Sequence, residues 1–207
     1  MTHFRFYKPY GALSQFVNNG RKKKRHTMIG DYGHFPTGTM AVGRLDRDSE
    51  GLLLLTTDGH FSERMRSKDI EKEYWVQVDG TPNEDSLTKM RTGLVLSHKG
   101  TSYTTLPCIV DQIPVPNIPP RGKAIRDARH GPTTWLKIIL REGKFRQVRK
   151  MTAKIGVPTL RLVRVRVGPY HIGTLLPGDS DSINPDLHQV DHEKSMTKRM
   201  VKGSNND

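Results

Sequence analysis

The sequence predicts an α+β fold, because clear strand signals occur beside a few short helix signals. The main strand signals are an aliphatic run at residues 52–55, bounded by turn residues, and an alternating pattern at 73–78. The clearest helix signal is Thr-Pro-Asn-Glu at 81–84, which has the form of a capping box with proline at the first helical position. These signals predict one domain over residues 1–179 and a disordered polar tail over residues 180–207.

The first half of the chain supplies short elements. Residues 3–9 predict a strand with both phenylalanines on one face, ended by a proline and a glycine. A short strand at 40–42 leads into a charged segment and the aliphatic run. A short helix is expected over 60–67, and the capping box should start a second helix that runs to about Arg91.

The second half supplies more strands and one helix. Strands are expected over residues 94–96, 105–110, 133–140 and 159–170. In the last of these, Arg164 and Arg166 alternate with valines, which predicts an apolar face, a cationic face and a bulge near 162–163. A helix over 145–155 carries an apolar stripe that includes its phenylalanine. Residues 111–132 hold five prolines and a basic cluster, and predict a loop that becomes ordered on RNA.

Composition limits the class of partner. The chain has 207 residues, a net charge of +13 and one cysteine, Cys108. The charge predicts an anionic polymer as partner, and nucleic acid is favoured over a membrane because no basic amphipathic helix stands out. The N-terminus has no secretory signal, and a single cysteine fits a reducing compartment, so a cytoplasmic location is expected.

The segment 43–57 is the strongest candidate for a site. It places a loop crowded with Arg, Asp and Glu directly before the apolar run, so a rigid strand would support a charged loop. Composition alone favours a plainer interpretation, in which the charges form a solvated cluster of ion pairs. The order of the residues decides against it: Gly-Arg-Leu-Asp, two residues, Ser, one residue, Gly, four leucines and Thr-Thr.

This order resembles the signature of the RNA pseudouridine synthases, and within them the branch that modifies ribosomal RNA. The resemblance implies two sheet-rich subdomains with the active site in the cleft between them. Members of the branch often carry an N-terminal RNA-binding domain of the S4 type, and this chain is expected to lack one. The short architecture resembles most the E-type synthase of large-subunit (23S) ribosomal RNA.

Three further matches assign roles by resemblance. Asp46 of the signature falls on the catalytic aspartate. Tyr74, in Lys-Glu-Tyr, falls on the tyrosine whose ring stacks on the target uracil, which suits a flipped base. Arg149, in Gln-Val-Arg, falls on an arginine expected to pair with Asp46 and keep it ionised. Lys8 and Pro9 resemble a pair that supports the active site from below.

The other basic residues are interpreted as contacts to RNA. Arg44 is expected to help extrude the base. The further candidates lie in a basic loop at 18–26, in the signature, in the segment 141–150 and on the last strand, namely Arg21, Lys22, Lys23, Arg47, Lys144, Arg146, Lys150, Arg164 and Arg166. A monomer that binds ribosomal RNA and no membrane is expected.

The chemistry needs one carboxylate and no cofactor. Isomerising uridine to pseudouridine involves no redox change, and the histidines and the single cysteine lack metal-ligand spacing, so no metal is expected. Asp46 could attack the ring, attack C1′ or remove the C2′ proton. Two other functions stay open: a non-catalytic RNA-binding or ribosome-associated protein, and a glycosylase-like hydrolase that uses Asp46 and Asp48 as paired acids.

Overall fold

The computed structural model describes residues 1–17, 26–126 and 128–185. The strands in these ranges are β1 (His3–Lys8), β2 (Met40–Ala41), β3 (Glu50–Thr56), β4 (Lys72–Asp79), β5 (Val95–His98), β6 (Thr101–Thr104), β7 (Ile109–Ile113), β8 (Thr133–Leu140), β9 (Thr159–Val167), β10 (Tyr170–His171) and β11 (Ser180–Ser182). The helices are α1 (Gly59–Arg66), α2 (Glu84–Thr92) and α3 (Gln147–Lys154), with 3₁₀ turns at Ile29–Tyr32 and Ala128–His130.

One large sheet confirms the α+β class. Its strand order is β11-β1-β3-β9-β4-β8-β7, with β2 paired to β3 and β10 paired to β9, while β5 and β6 form a separate hairpin. The two predicted sheet-rich halves are therefore parts of one continuous sheet. They meet where β3 and β9 run parallel, a pairing that covers only Glu50 opposite Val163 and Gly51 opposite Arg164.

This narrow junction depends on side chains as well as on backbone pairing. Gly51 has a φ of +100°, and a Cβ built there would lie 2.3 Å from the carbonyl oxygen of Arg164, so only glycine fits. Beyond it, the Arg164 Nε donates to the carbonyl oxygen of Leu52 at 2.8 Å. Glu50 and Arg161 form a buried bidentate ion pair, with distances of 2.9 and 3.0 Å, between the same two strands.

The aliphatic run is buried on both faces. Leu52 and Leu54 belong to the cluster formed with helix α1, whereas Leu53 and Leu55 belong to the cluster around Phe6 of β1. A strand covered on both sides contains an unbroken apolar sequence. The strand predicted at this position is confirmed, and it gives the charged loop a rigid attachment.

The start of α2 differs from the prediction. Asn83 is the N-cap, because its side chain accepts a hydrogen bond from the backbone N–H of Ser86 at 2.9 Å, and the helix begins at Glu84. Thr81 and Pro82 therefore precede the helix. Asparagine is itself a strong N-cap, so it starts the helix two residues later than the capping-box pattern suggests.

The segment 94–113 was predicted wrongly in part. A hairpin, β5–β6, turns at Lys99 and Gly100, which have φ values of +51° and +82°, and β7 covers Ile109–Ile113 instead of 105–110. The predicted strand over 94–96 overlaps β5, but the rest of the hairpin is rich in Ser, His and Thr and gives no alternating apolar signal. The beginning of the predicted proline-rich loop is therefore strand.

Two boundaries in the last part of the chain are also corrected. The pairing of β9 with β4 shifts between Glu73 and Tyr74, and between Gln77 and Val78, so the irregularities in β9 lie on either side of the predicted bulge at 162–163. β11 pairs with β1 inside the predicted tail, and this backbone pairing needs no apolar side chains. The rest of that tail, 186–207, lies outside the described residues. In the described part of the chain, no helix has the length and apolar character needed to cross a membrane.

Candidate active site

A cavity of about 430 Å³ lies beside the junction of the two half-sheets. The cavity is lined by loop 42–49, the end of α1, strands β4 and β9, loop 142–146 and the start of α3. Its apolar surface includes Leu45, Tyr74, Leu140 and Leu162. Six basic side chains and two acidic ones complete the lining, namely Arg44, Arg66, Lys72, Lys144, Arg146, Arg164, Asp46 and Glu142. The excess of positive charge suits a polyanion.

The loop that carries Asp46 is fixed by hydrogen bonds on each side of the residue. The Ser14 Oγ donates to the carbonyl oxygen of Leu45 at 2.8 Å, and accepts from the Leu45 N–H at 3.0 Å. The Ser49 N–H donates to the carbonyl oxygen of Asp46 at 3.0 Å. The backbone at Asp46 is therefore fixed on both sides, and its carboxylate lines the cavity.

Lys8 supports the same loop from within the protein. It is fully buried, and its Nζ donates to the carbonyl oxygens of Ser49 at 2.7 Å, Pro9 at 3.0 Å and Arg47 at 3.4 Å. Burial lowers the pKa of Lys8 to about 8, against the opposing effect of Glu50 and the two loop aspartates. This position fits the supporting role that the Lys-Pro resemblance implies for Lys8 and Pro9.

The lowered pKa of Lys8 predicts a pH-dependent stability. Between about pH 8 and 10.5 the folded protein holds Lys8 neutral while the unfolded chain keeps it charged. The unfolded state then binds more protons, so the contribution of Lys8 to the free energy of unfolding rises with pH in this window. Lys8→Met should remove that rise.

Urea unfolding at pH 7.5, 8.5 and 9.5 would measure this difference between wild type and Lys8→Met. Lys72→Met is a positive comparison, because burial and the nearby Arg164 lower the pKa of Lys72 to about 8 as well, so its stability difference from wild type should change with pH in the same direction. A stability difference between wild type and Lys8→Met that does not change with pH would contradict the assignment.

The predicted ion pair between Arg149 and Asp46 is corrected by the structure. The Arg149 Nη2 donates to the carbonyl oxygen of Asp48 at 2.7 Å, and lies 3.5 Å from the Asp48 Oδ2. Arg146 is the arginine that contacts both carboxylates: its Nη1 lies 3.4 Å from the Asp46 Oδ2, and it forms two hydrogen bonds of 2.9 Å with the Asp48 carboxylate. The Gln-Val-Arg motif correctly predicts that α3 lies beside the Asp46 loop, but the arginine that contacts Asp46 is Arg146 and not Arg149.

Asp48 is held as a carboxylate. Burial alone would raise the pKa of Asp48, but the hydrogen bond from Arg146 and the charges of Arg149 and Arg146 outweigh it and lower the pKa below its usual value. A group that stays ionised is a poor general acid. The geometry therefore makes Asp48 an anchor for the arginines, which argues against a paired-acid mechanism with Asp46.

The turn before α3 explains why Arg146 reaches the loop. Arg146 has a φ of +50°, a left-handed conformation uncommon for a residue other than glycine. Gln147 stabilises the turn, since its Oε1 accepts from the Lys144 N–H at 3.0 Å and its Nε2 donates to the buried Glu142 at 2.5 Å. The same turn directs Phe145 outward, so the predicted placement of Phe145 on the apolar stripe of the helix is wrong.

Strand β4 contributes the aromatic surface of the cavity. Tyr74 is 8% exposed and lines the cavity on the same strand face as Lys72. The Lys72 Nζ donates to the carbonyl oxygen of Ser67 at 2.7 Å, which holds this ammonium at the base of the cavity. Alternation along the Lys-Glu-Tyr element puts both side chains on one face, and this was the available sequence signal for Lys72.

Arg164 lines the cavity from β9. It is 6% exposed, and within the described residues its Nη2 is buried with no hydrogen-bond partner, although its Nε bonds to Leu52. A buried donor without a partner is costly, and this Nη2 belongs to a side chain that lines the cavity. The prediction of a solvent-facing cationic strand surface is therefore wrong for Arg164.

The other predicted RNA contacts are distributed unevenly. Arg44 is exposed and lines the cavity, Arg47 is exposed on the same loop, and Lys144 lines the cavity. Lys150 lies near the hairpin β5–β6, where its Nζ donates to the carbonyl oxygen of Ser97 at 3.0 Å. Arg166 bonds to Glu73 and Glu71, both at 3.1 Å, and is corrected to a structural ion pair. Arg21, Lys22 and Lys23 lie outside the described residues.

Sequence reasoning missed four residues at the site. Arg66 ends a predicted helix and Glu142 lies in the segment 141–150, but neither pattern indicates a role at the site. Only folding brings these two residues and Ser14 to the cavity. Lys72 is part of a matched element, but the match assigns a role to Tyr74 alone.

Comparisons with known proteins agree with this geometry. Residues 2–154 match the family model described as RNA pseudouridylate synthase. The ribosomal large subunit pseudouridine synthase E of Vibrio parahaemolyticus is 46% identical over 176 residues, which cover 84% of this chain and 70% of that protein. The protein with the same name in Xanthomonas axonopodis pv. citri is 43% identical over 173 residues, covering 82% and 87%.

A solved structure supports the fold. It is described as a crystal structure of pseudouridylate synthase, and it superposes on this chain with a TM-score of 0.70 at 23% sequence identity. The superposition covers 91% of this chain and 72% of that one. At this level of identity the likeness concerns the fold.

Proposed function

This chain belongs to the RNA pseudouridylate synthase family, and from this premise we propose that it converts a specific uridine of large-subunit ribosomal RNA to pseudouridine. The names of the two relatives, both E-type synthases of the large ribosomal subunit, support this choice of substrate. The single observation that carries the proposal is the Asp46 carboxylate, which lines one cationic cavity together with the Tyr74 ring. A protein that only binds RNA requires neither group in such a place.

The residues divide the work as follows. Tyr74 offers a flat apolar surface for a uracil that has left its stack, and Arg44 at the exposed side of the cavity helps to extrude that base. The reaction breaks the bond between N1 and C1′ and forms a bond between C5 and C1′. The C5 hydrogen leaves as a proton and N1 gains one, so the change is an isomerisation without redox chemistry.

Asp46 is the group proposed to act on the nucleotide. The three roles open to it, attack on the ring, attack on C1′ and removal of the C2′ proton, all require an ionised carboxylate in the cavity. Its neighbours Arg146 and Arg149 hold the loop rather than the substrate. The unpaired Nη2 of Arg164 is available to donate to a carbonyl or phosphate oxygen of the bound nucleotide.

Capture of the RNA rests on charge. The net charge of +13 and the basic lining of the cavity support electrostatic binding that weakens with salt. The protein is further proposed to act as a monomer in the cytoplasm, without a membrane partner and without a cofactor.

Release of tritium tests the function directly. Large-subunit ribosomal RNA labelled with tritium at C5 of uridine should lose label to water when incubated with the wild-type protein, because C5 exchanges its hydrogen for C1′. Small-subunit RNA labelled in the same way is the control for substrate choice. Binding of large-subunit RNA without any release would refute the enzymatic proposal, and release from small-subunit RNA alone would refute the choice of substrate.

A further inference from the structure

An exposed aromatic ring lies beside the cavity and has no part in the proposed chemistry. Phe145 contributes to the cavity lining, yet its side chain is 57% exposed. A single exposed apolar residue is common and needs no explanation. The surroundings of Phe145 are what distinguish it.

A second ring from a distant segment packs against Phe145. His98, at the end of strand β5, has its ring centroid 5.0 Å from that of Phe145, with an angle of 34° between the planes. The two rings form the Phe145–His98 platform. Chain segments 47 residues apart (98 and 145) build it, so it is a product of the tertiary fold.

The platform is held and charged by Lys150. The Lys150 Nζ bonds to the carbonyl oxygen of Ser97 at 3.0 Å and lies 3.4 Å from the His98 Nδ1. The same Nζ lies 5.5 Å from the centre of the Phe145 ring. Lys144, which lines the cavity, precedes Phe145 directly. The Lys144 Nζ lies 3.8 Å from the centre of the Tyr103 ring and 3.6 Å from the Glu142 carboxylate, so the Lys150 ammonium is the one that contacts the platform. The Phe145 ring is exposed and the His98 ring is half-buried.

We propose that the Phe145–His98 platform binds the base of an unpaired nucleotide next to the target uridine in the RNA strand. The inference rests on the proposed function. Each base has an apolar face that stacks on aromatic rings, and its phosphate is attracted by nearby lysines. A strand whose target nucleotide lies in the cavity must cross the rim, where this platform lies. The surface thus selects single-stranded RNA at the flank and tolerates different bases.

The test compares variants of Phe145 on the full-length protein. Phe145→Leu keeps an apolar side chain but removes the ring, whereas Phe145→Trp keeps a stacking surface. Phe145→Leu should weaken binding of a large-subunit RNA transcript by about five- to a hundredfold, the usual loss for one stacked base. The Michaelis constant for tritium release should rise by a similar factor with little change in kcat, and Phe145→Trp should remain close to wild type.

Salt dependence separates stacking from charge. Phe145→Leu should leave the slope of log Kd against log salt unchanged, because a stacked base releases no counterion, whereas Lys144→Gln should reduce that slope. Val95→Ala is a control for the hairpin that carries His98. It changes an exposed apolar residue of β5 and should bind RNA like wild type.

Three results would overturn the platform. They are wild-type affinity in Phe145→Leu, an equal loss in Phe145→Trp and Phe145→Leu, and an equal loss in Val95→Ala, which would indicate a disturbed hairpin or a different partner surface. Each of these results counts only if the wild-type protein releases tritium. If the wild type itself is inactive, the proposed function fails, and this outcome is distinct from failure of the platform.

Discussion

Asp46→Asn is expected to abolish tritium release from large-subunit RNA while the protein still binds that RNA. Asparagine has nearly the same shape, and the backbone contacts that position residue 46 stay in place, but the amide can neither attack carbon nor accept the C2′ proton. The loss should reach at least about a thousandfold, within the range for removal of a catalytic base. The measurement is the single-turnover rate of release at saturating enzyme.

Affinity should not fall with activity in this variant. Asp46 is one of two acidic groups in a lining with six basic ones, so removing its charge makes the cavity more attractive to a phosphate. Filter binding at the same salt concentration would show a Kd equal to or below that of wild type. A parallel loss of binding would mean that Asp46 shapes the site instead of acting in the reaction.

Asp48→Asn is the matched control. It removes a carboxylate two residues away and weakens the hold on Arg146 and Arg149, so activity should decrease without disappearing. A glycosidase that uses both acids would lose all activity in either variant. Free uracil in the products, measured by chromatography, would support that hydrolase instead.

Local sequence patterns predicted those strands whose buried faces carry apolar side chains. Strand β8 at Thr133–Leu140 and the leucines of β3 lie where the pattern places them, since a strand that is buried on one or both faces must carry apolar residues there. In the β5–β6 hairpin only Leu96 and Tyr103 pack on the core, and the pattern at 94–96 predicts only the start of β5. The rest of the hairpin and β11 pair through their backbones and carry mostly Ser, Thr, His and Asp, so they leave no hydrophobic pattern to find.

The sequence predicted several residues of the candidate site but not the contacts between them. Asp46, Tyr74 and Lys8 could be assigned through motifs, because each motif is contiguous in the chain. Which arginine pairs with which aspartate depends on the left-handed turn at Arg146, and a charge pattern does not encode this turn. The burial of Arg164 could not be recognised either. Its Nε bonds to the carbonyl oxygen of Leu52 just beyond the short β3–β9 pairing, and nothing in the sequence distinguishes this arginine from an exposed one.

Glu50→Gln is expected to destabilise the fold more than any surface substitution. Glu50 and Arg161 have side chains that are only 2% and 6% exposed, and they join β3 to β9 at the two-residue junction of the half-sheets. Replacing the carboxylate with an amide leaves a buried guanidinium without its counter-charge. Breaking a buried pair in this way costs about 3–5 kcal/mol, a large part of the stability of an ordinary domain. Urea unfolding at pH 7 would measure the loss.

The double variant Glu50→Met, Arg161→Met separates the cost of an unpaired charge from the value of the pair. Two apolar side chains leave no buried charge, so the double variant should be more stable than Glu50→Gln alone. Recovery should be incomplete, because the Arg161 Nη2 also donates to the carbonyl oxygen of Pro119 at 2.7 Å, and the double variant leaves this oxygen unpaired. If the double variant is as unstable as Glu50→Gln, then the hydrogen-bonded pair itself holds β3 against β9, and the absence of an unpaired buried charge is not sufficient. Since β3 carries the Asp46 loop, tritium release by the folded double variant would then report how far the active site depends on that junction.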